Sequence, residues 1–161
     1  MFARPFIDSL VFARNGEELC GKISMAAMPR LSDMLANSDG TLTYKVSGSK
    51  ENDQHMLKIE LEGVCHLRCQ RCLGEFAYPI KVAAHLQLLS SDKLDEAEAD
   101  DVADGIEATP HLDLLELIED EVLLGLPFAP KHPEGACSTA VEGIKQSDNP
   151  FAVLAGLKKK Q

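Results

Sequence analysis

Strict alternation of apolar and polar residues is the feature that most limits how this chain can fold. Apolar side chains occupy every second position in residues 42–46, again in 57–61, and then over the long run 76–88. A period of two places them all on one face of a β-strand. The polar stretch 47–54 between the first two runs is typical of a turn. We therefore predict a half-buried antiparallel hairpin followed by a third, longer strand.

Shorter patterns predict the elements around these strands. The predicted elements are strands at 6–12 and 19–24 and helices at 29–37, 110–125 and 150–157. Each helix begins at a proline, which suits the first helical turn because no N–H is needed there. We predict one α+β domain over residues 1–161. Its sheet is mostly antiparallel, open or curled toward a barrel, and covered by two to three helices.

The net charge of −10 is unevenly spread along the chain. Residues 92–107 hold eight acids and one lysine, so most of the net charge lies there. The stretch 90–108 has few large apolar residues and is predicted to be a flexible surface loop, either merely solvated or a docking surface for a basic partner. This charge argues against a surface that wraps nucleic acid, but the nearly neutral remainder allows a small basic contact surface.

The sequence predicts a cytoplasmic protein with reduced thiols. No apolar run approaches the ~20 residues needed to span a bilayer, and the first residues lack the features of a signal peptide. Five cysteines, an odd number, suit free thiols better than a disulfide framework.

Two short pairs of possible metal ligands stand out. Cys69 and Cys72 form one pair, and His132 and Cys137 would form the other. Structural zinc sites hold the ion in a tetrahedron of four such ligands. We predict a structural zinc, with unmetallated thiols and redox chemistry as alternatives. A redox pair belongs at a helix N-terminus, whereas this one is predicted between antiparallel strands. Strand periodicity places Cys65 in the core and outside this set.

The helix predicted at 110–125 is apolar on one side and acidic on the other. It either covers the sheet as a mostly buried helix or offers a docking face to a basic, partly apolar partner. The residues of that face are Asp113, Glu116, Leu117, Asp120 and Leu124. Glu119 to Glu121 do not suggest a catalytic pair, because consecutive helical side chains point about 100° apart.

Two groups of cationic side chains could contact the phosphates of a nucleic acid. Arg68 and Arg71 accompany the first cysteine pair, and Lys158, Lys159 and Lys160 follow the last predicted helix. They either balance charge and cap that helix or contact phosphate groups of RNA or another partner.

Four sequence blocks, in this order, are similar to those of a known family. The blocks are Cys69-Gln70-Arg71-Cys72-Leu73, the run from Glu119 to Pro127 (EDEVLLGLP), His132 with Cys137, and the run from Asn149 to Lys158 (NPFAVLAGLK). Together they resemble the YceD family of bacterial large ribosomal RNA subunit accumulation proteins. The cysteine and histidine positions match those of that family. Residues 1–68 are compatible with the resemblance without being distinctive.

The resemblance implies a cytoplasmic role in ribosome biogenesis, without an established catalytic activity. The first hypothesis is a non-enzymatic factor that supports accumulation or processing of large-subunit ribosomal RNA. Its partners would be that RNA, its precursor or a basic ribosomal protein, with no membrane and no small-molecule substrate. The second hypothesis is a thiol-redox or metal-dependent enzyme using Cys69 and Cys72. The sequence offers it no nucleophile-base pair and no phosphate-binding glycine loop.

Overall fold

The alternating runs form the centre of an α+β fold, as predicted. The computed structural model describes residues 5–94 and 104–137. The strands are β1 (Phe6–Ile7), β2 (Glu18–Ser24), β3 (Thr41–Glu51), β4 (Gln54–Arg68), β5 (Glu75–Leu89), β6 (Asp104–Glu107) and β7 (Leu112–Asp113). The helices are α1 (Ser9–Asn15), α2 (Ser91–Leu94) and α3 (Leu114–Gly125).

The larger sheet has the order β2-β3-β4-β5-β6 and is open, so it does not close into a barrel. The strands from β2 to β5 pair antiparallel, and β6 adds in parallel beside Leu86–Leu89. Asn52 and Asp53 make the β3–β4 turn with φ values of 49° and 65°. Two-residue hairpin turns need this left-handed conformation to match the strand twist. β1 and β7 form a separate small sheet.

The core lies between one face of the large sheet and α3. Its fully buried residues include Leu42, Val46, Leu57, Ile59, Leu114, Ile118 and Val122. The strand members of this set follow the parity that the alternation predicts. Cys65 is also fully buried, and burial raises the pKa of its thiol to about 11. This confirms Cys65 as a core residue that stays protonated.

The strand predicted at 6–12 is wrong, because only Phe6–Ile7 pair as a strand and the following residues form α1. Asp8 caps this helix by accepting the N–H of Val11 at 3.0 Å. Gly16 ends it with a φ of 64°, a left-handed conformation that glycine adopts readily. The cap and the terminating glycine define a short helix, and alternation with a period of two does not indicate which side of a helix is buried.

Replacing Asp8 with alanine should destabilise the protein by about 1 kcal/mol, because the helix loses the acceptor for one of its first N–H groups. Urea denaturation followed by circular dichroism measures this change. Asp33→Ala, an equal change of charge at an exposed position, is the matched control. Equal losses in the two variants would contradict the cap.

The helix predicted at 29–37 is also wrong. The segment instead begins with a 3-10 turn at Pro29–Leu31, and another 3-10 turn, Met25–Ala27, precedes it. The N–H of Arg30 donates to the carboxylate of Glu119 at 2.7 Å. A partner on α3 therefore satisfies a backbone group in the first turn, and this tertiary bond is not encoded in local spacing.

The predicted helix 110–125 forms, but it begins four residues later, at Leu114. Thr109, which precedes the predicted start, makes three hydrogen bonds with Ser9, one of them from the Ser9 N–H to the Thr109 carbonyl at 3.1 Å. The N–H of Thr109 donates to Ser9 Oγ at 3.0 Å, and Ser9 Oγ donates to the Thr109 carbonyl at 2.9 Å. Asp113 caps α3 instead, accepting a first-turn N–H at 2.9 Å.

The acidic stretch 90–108 begins with α2 and ends with β6, so the loop is shorter than predicted. Residues 95–103, between these elements, lie outside the described residues. So do the helix predicted at 150–157 and the lysines that follow it. Over residues 5–94 and 104–137, no helix is both long and apolar enough to cross a membrane.

Candidate metal centre

The turn between β4 and β5 carries the first cysteine pair. The N–H of Cys69 donates to the Gly74 carbonyl at 2.8 Å, and the N–H of Leu73 donates to the Cys69 carbonyl at 2.8 Å. Leu73 has a φ of 61°, which reverses the chain directly after Cys72. As predicted, the pair sits in a turn between antiparallel strands rather than at a helix N-terminus.

A loop after α3 brings the second pair to this turn. The N–H of Gln70 donates to the Pro130 carbonyl at 2.8 Å. The ring centroid of His132 lies 4.9 Å from that of Phe76, and its Nε2 lies 3.2 Å from the Glu75 carbonyl oxygen. A carbonyl can only accept, so Nε2 donates to it, and in the neutral imidazole Nδ1 then presents a lone pair.

The four predicted ligands converge. Nδ1 of His132 lies 3.4 Å from Cys72 Sγ and 3.6 Å from Cys137 Sγ. The Sγ atoms of Cys69 and Cys137 are 3.6 Å apart, and all four ligand atoms lie within 4.8 Å of one another. Zinc bonds of ~2.3 Å to sulfur and ~2.0 Å to nitrogen separate tetrahedral ligands by ~3.5–3.8 Å. The group therefore has the chemistry and nearly the spacing of a zinc site.

Backbone N–H groups favour the thiolate of Cys69. Burial opposes its ionisation, but N–H groups of Cys72, His132 and Arg71 outweigh burial and lower the pKa of Cys69 to about 5. The nitrogens of Arg71 and His132 lie 3.4 and 3.5 Å from the sulfur. The turn and the loop thus prepare one anionic ligand between them.

The pKa of Cys72 shifts in the opposite direction from that of Cys69. The backbone of Gly74 acts to lower its pKa, but desolvation and the side chains of Cys137 and Cys69 together raise the pKa of Cys72. A second thiolate is therefore unfavourable beside the first one. A divalent cation would remove this penalty, which is why metal binding and thiol deprotonation occur together.

The two arginines near the centre have different contacts. Arg71 Nε donates to Cys137 Sγ at 3.1 Å, and a terminal nitrogen of Arg71 donates to the His132 carbonyl at 3.4 Å. The sulfur of Cys137 raises the pKa of Arg71, so this guanidinium braces the second ligand pair. Arg68 ends β4 with an exposed side chain.

The structure separates the predicted docking residues on α3. Glu116 is exposed, and Leu124 is 79% exposed. Asp120 is ion-paired to an arginine of the preceding 3-10 turn. Leu117 is buried in the core, and Asp113 is the helix cap. The exposed apolar part of this face is therefore at its C-terminal end.

Sequence reasoning missed two buried carboxylates on α3. Glu119 is 4% exposed and Glu121 is 8% exposed. Glu121 follows Leu114 by seven positions, so helical periodicity places Glu121 beside Leu114 on the buried side of the helix. That signal was available in the sequence. The bond between Glu119 and Arg30 is tertiary, and no local pattern indicates it.

Comparison with known proteins relates this arrangement to one family. The family model described as "Large ribosomal RNA subunit accumulation protein YceD" matches residues 57–158. That span includes all four ligands of the candidate centre. The chain is also similar to a Haemophilus influenzae protein named "Large ribosomal RNA subunit accumulation protein YceD". The two are 27% identical over 172 aligned positions, covering 96% of this chain and 95% of that protein. No solved structure matches the chain.

Proposed function

Because this chain belongs to the YceD family of large ribosomal RNA subunit accumulation proteins, we propose that it is a cytoplasmic, non-enzymatic factor that binds large-subunit ribosomal RNA or its precursor. The observation that carries the proposal is the convergence of three thiols and one imidazole inside the matched span. Four protein ligands leave a zinc ion no open position for water or substrate, which favours bracing over catalysis.

The ion proposed for this centre is zinc in a structural role. Thiolate sulfur and imidazole nitrogen in a tetrahedral arrangement are ligands typical of zinc. The ion would join the β4–β5 turn to the loop that carries His132 and Cys137. The hydrogen bond between Gln70 and Pro130 already draws these segments together. Zinc would then hold the exposed Arg68 at a defined position beside the turn.

RNA contact is assigned to cations around and beyond this centre. Arg68 is exposed beside Cys69. Arg71 lies in the same turn, where its backbone N–H donates to Cys69 Sγ. Lys158–Lys160 follow the last sequence block that resembles the family. Guanidinium and ammonium groups bind phosphates, so these contacts would position the protein without reading base sequence. A basic ribosomal protein would instead meet the exposed part of the docking face on α3, at Glu116 and Leu124.

Ultraviolet crosslinking in cells tests the proposal, with sequencing of the recovered RNA and mass spectrometry of the recovered proteins. Large-subunit ribosomal RNA or its precursor should be enriched with the wild-type protein. The variant Cys72→Ser should lose most of this enrichment, whereas Cys20→Ser, at an exposed thiol outside the centre, should keep it. Recovery of neither ribosomal RNA nor ribosome-assembly proteins would overturn the proposed function.

A further inference from the structure

Two surface hollows meet along the C-terminal half of α3. The larger, of about 940 Å³, lies between the tip of the β3–β4 hairpin, β5 and α3. The smaller, of about 410 Å³, lies between α3 and the β5–β6 pair. Asp104, Glu121 and Leu124 line both. Glu51 adds a further carboxylate to the larger hollow, and the smaller one is lined mainly by apolar side chains.

Glu121 lies at the junction of these hollows, because it lines both. It is 8% exposed and makes no hydrogen bond or ion pair within residues 5–94 and 104–137. Burial first, and then the carboxylates of Asp104 and Asp120, raise the pKa of Glu121. Arg30 lines the smaller hollow but is ion-paired to Asp120. The side chain is largely buried and two like charges lie near it, so its ionised form is unfavourable and a cation that entered the junction would be bound favourably.

We propose that the joined hollows bind a segment of a basic protein, with an arginine or lysine head group between Glu121 and Asp104 and a neighbouring apolar side chain against Leu124. The partner class rests on the proposed function, since a protein that shares an RNA with this one needs lysine and arginine of its own. Charge complementarity favours this occupant over RNA, because the same carboxylates repel phosphate.

The surroundings of Glu121 also favour a peptide over a metal ion. In the part of the chain that the structure describes, the cysteine and histidine centre is the one group of at least three possible metal ligands that lie close together. Asp104 and Glu121 belong to no such group there. Leu124, 79% exposed at the rim, offers apolar surface that a bare ion cannot use. An amino-acid segment with charged and apolar side chains uses both features.

Titration with a labelled peptide tests the inference. The probe is a peptide repeating arginine, leucine and serine, and its control contains citrulline, a neutral analogue, in place of arginine. Wild-type protein should bind the arginine peptide more tightly than the citrulline peptide. Glu121→Gln should weaken binding of the arginine peptide by about tenfold or more, as loss of a buried charge pair does. Asp33→Asn, an equal change of charge at an exposed site, should bind like the wild type.

Folding and RNA binding are checked separately. Glu121→Gln keeps the side-chain volume and removes a desolvated charge, so it should melt at or above the wild-type temperature at neutral pH. It should also keep the RNA enrichment of the wild type, which separates this site from the proposed function. Equal affinity of Glu121→Gln and the wild type for the arginine peptide would overturn the inference. So would binding that appears only after Lys158–Lys160 are replaced by glutamine, because the chain's own tail would then be the occupant.

Discussion

Replacing Cys72 with serine should abolish zinc binding and lower the melting temperature by about 8–16 °C. A hydroxyl stays protonated at neutral pH and cannot replace a thiolate ligand. A metal present at about a thousandfold excess over its Kd stabilises the folded state by about 4 kcal/mol. Each kcal/mol corresponds to about 2–4 °C in a domain of this size. The sheet and α3 supply a core of their own, so the variant should remain folded at 25 °C.

Differential scanning fluorimetry with and without a chelator measures this effect. The chelator should bring the wild-type melting temperature down to that of Cys72→Ser and should leave the variant unchanged. Cys20→Ser is the matched control, since Cys20 is exposed on β2 and outside the centre. A wild-type melting temperature that is indifferent to the chelator would contradict a stabilising metal.

Removing four cations together should weaken RNA binding by about two hundredfold at physiological salt. The changes are Arg68, Lys158, Lys159 and Lys160 to glutamine. Each phosphate contact to a single strand contributes a slope of about 0.7 in log affinity against log salt, or about fourfold near 0.15 M. Loss of four contacts should therefore reduce the salt slope by about 3 as well. Fluorescence anisotropy of labelled large-subunit ribosomal RNA over a range of salt concentrations measures both quantities.

A variant with the same loss of charge elsewhere distinguishes contact from a general electrostatic effect. Arg14, Lys22, Lys81 and Lys93 are exposed and lie outside the β4–β5 turn and the loop that carries His132 and Cys137. Their replacement by glutamine should reduce the salt slope much less. Equal reductions in the two variants would mean that RNA responds to net charge rather than to the assigned contacts.

The central strands and the candidate group of cysteines and histidine could be predicted from sequence because their signals are local. Alternation over residues 42–46, 57–61 and 76–88 reports which face of each strand is buried, and the same parity places Cys65 in the core. Short spacings between cysteine and histidine residues identify two chelating pairs. Bringing the pairs together required the loop after α3 to reach the β4–β5 turn, and the four side chains do converge there.

The elements that were predicted wrongly depend on tertiary contacts. Helix α1 packs on β3 at Gly48, where a Cβ would lie 2.6 Å from the Cα of Ala13. The sequence of residues 6–12 gives no indication of this close approach. The 3-10 turn at Pro29–Leu31 depends on the carboxylate of Glu119, and β6 depends on parallel pairing with β5. None of these contacts leaves a periodic signal in its own segment.

Native mass spectrometry of freshly purified protein tests the central claim most directly, namely that Cys69, Cys72, His132 and Cys137 hold one zinc ion. The wild-type chain, purified without a chelator, should have the mass of the polypeptide plus one zinc ion, less the protons that zinc displaces. Cys72→Ser should have the mass of the metal-free polypeptide. A metal-free wild-type chain, or zinc retained in full by Cys72→Ser, would contradict the assignment.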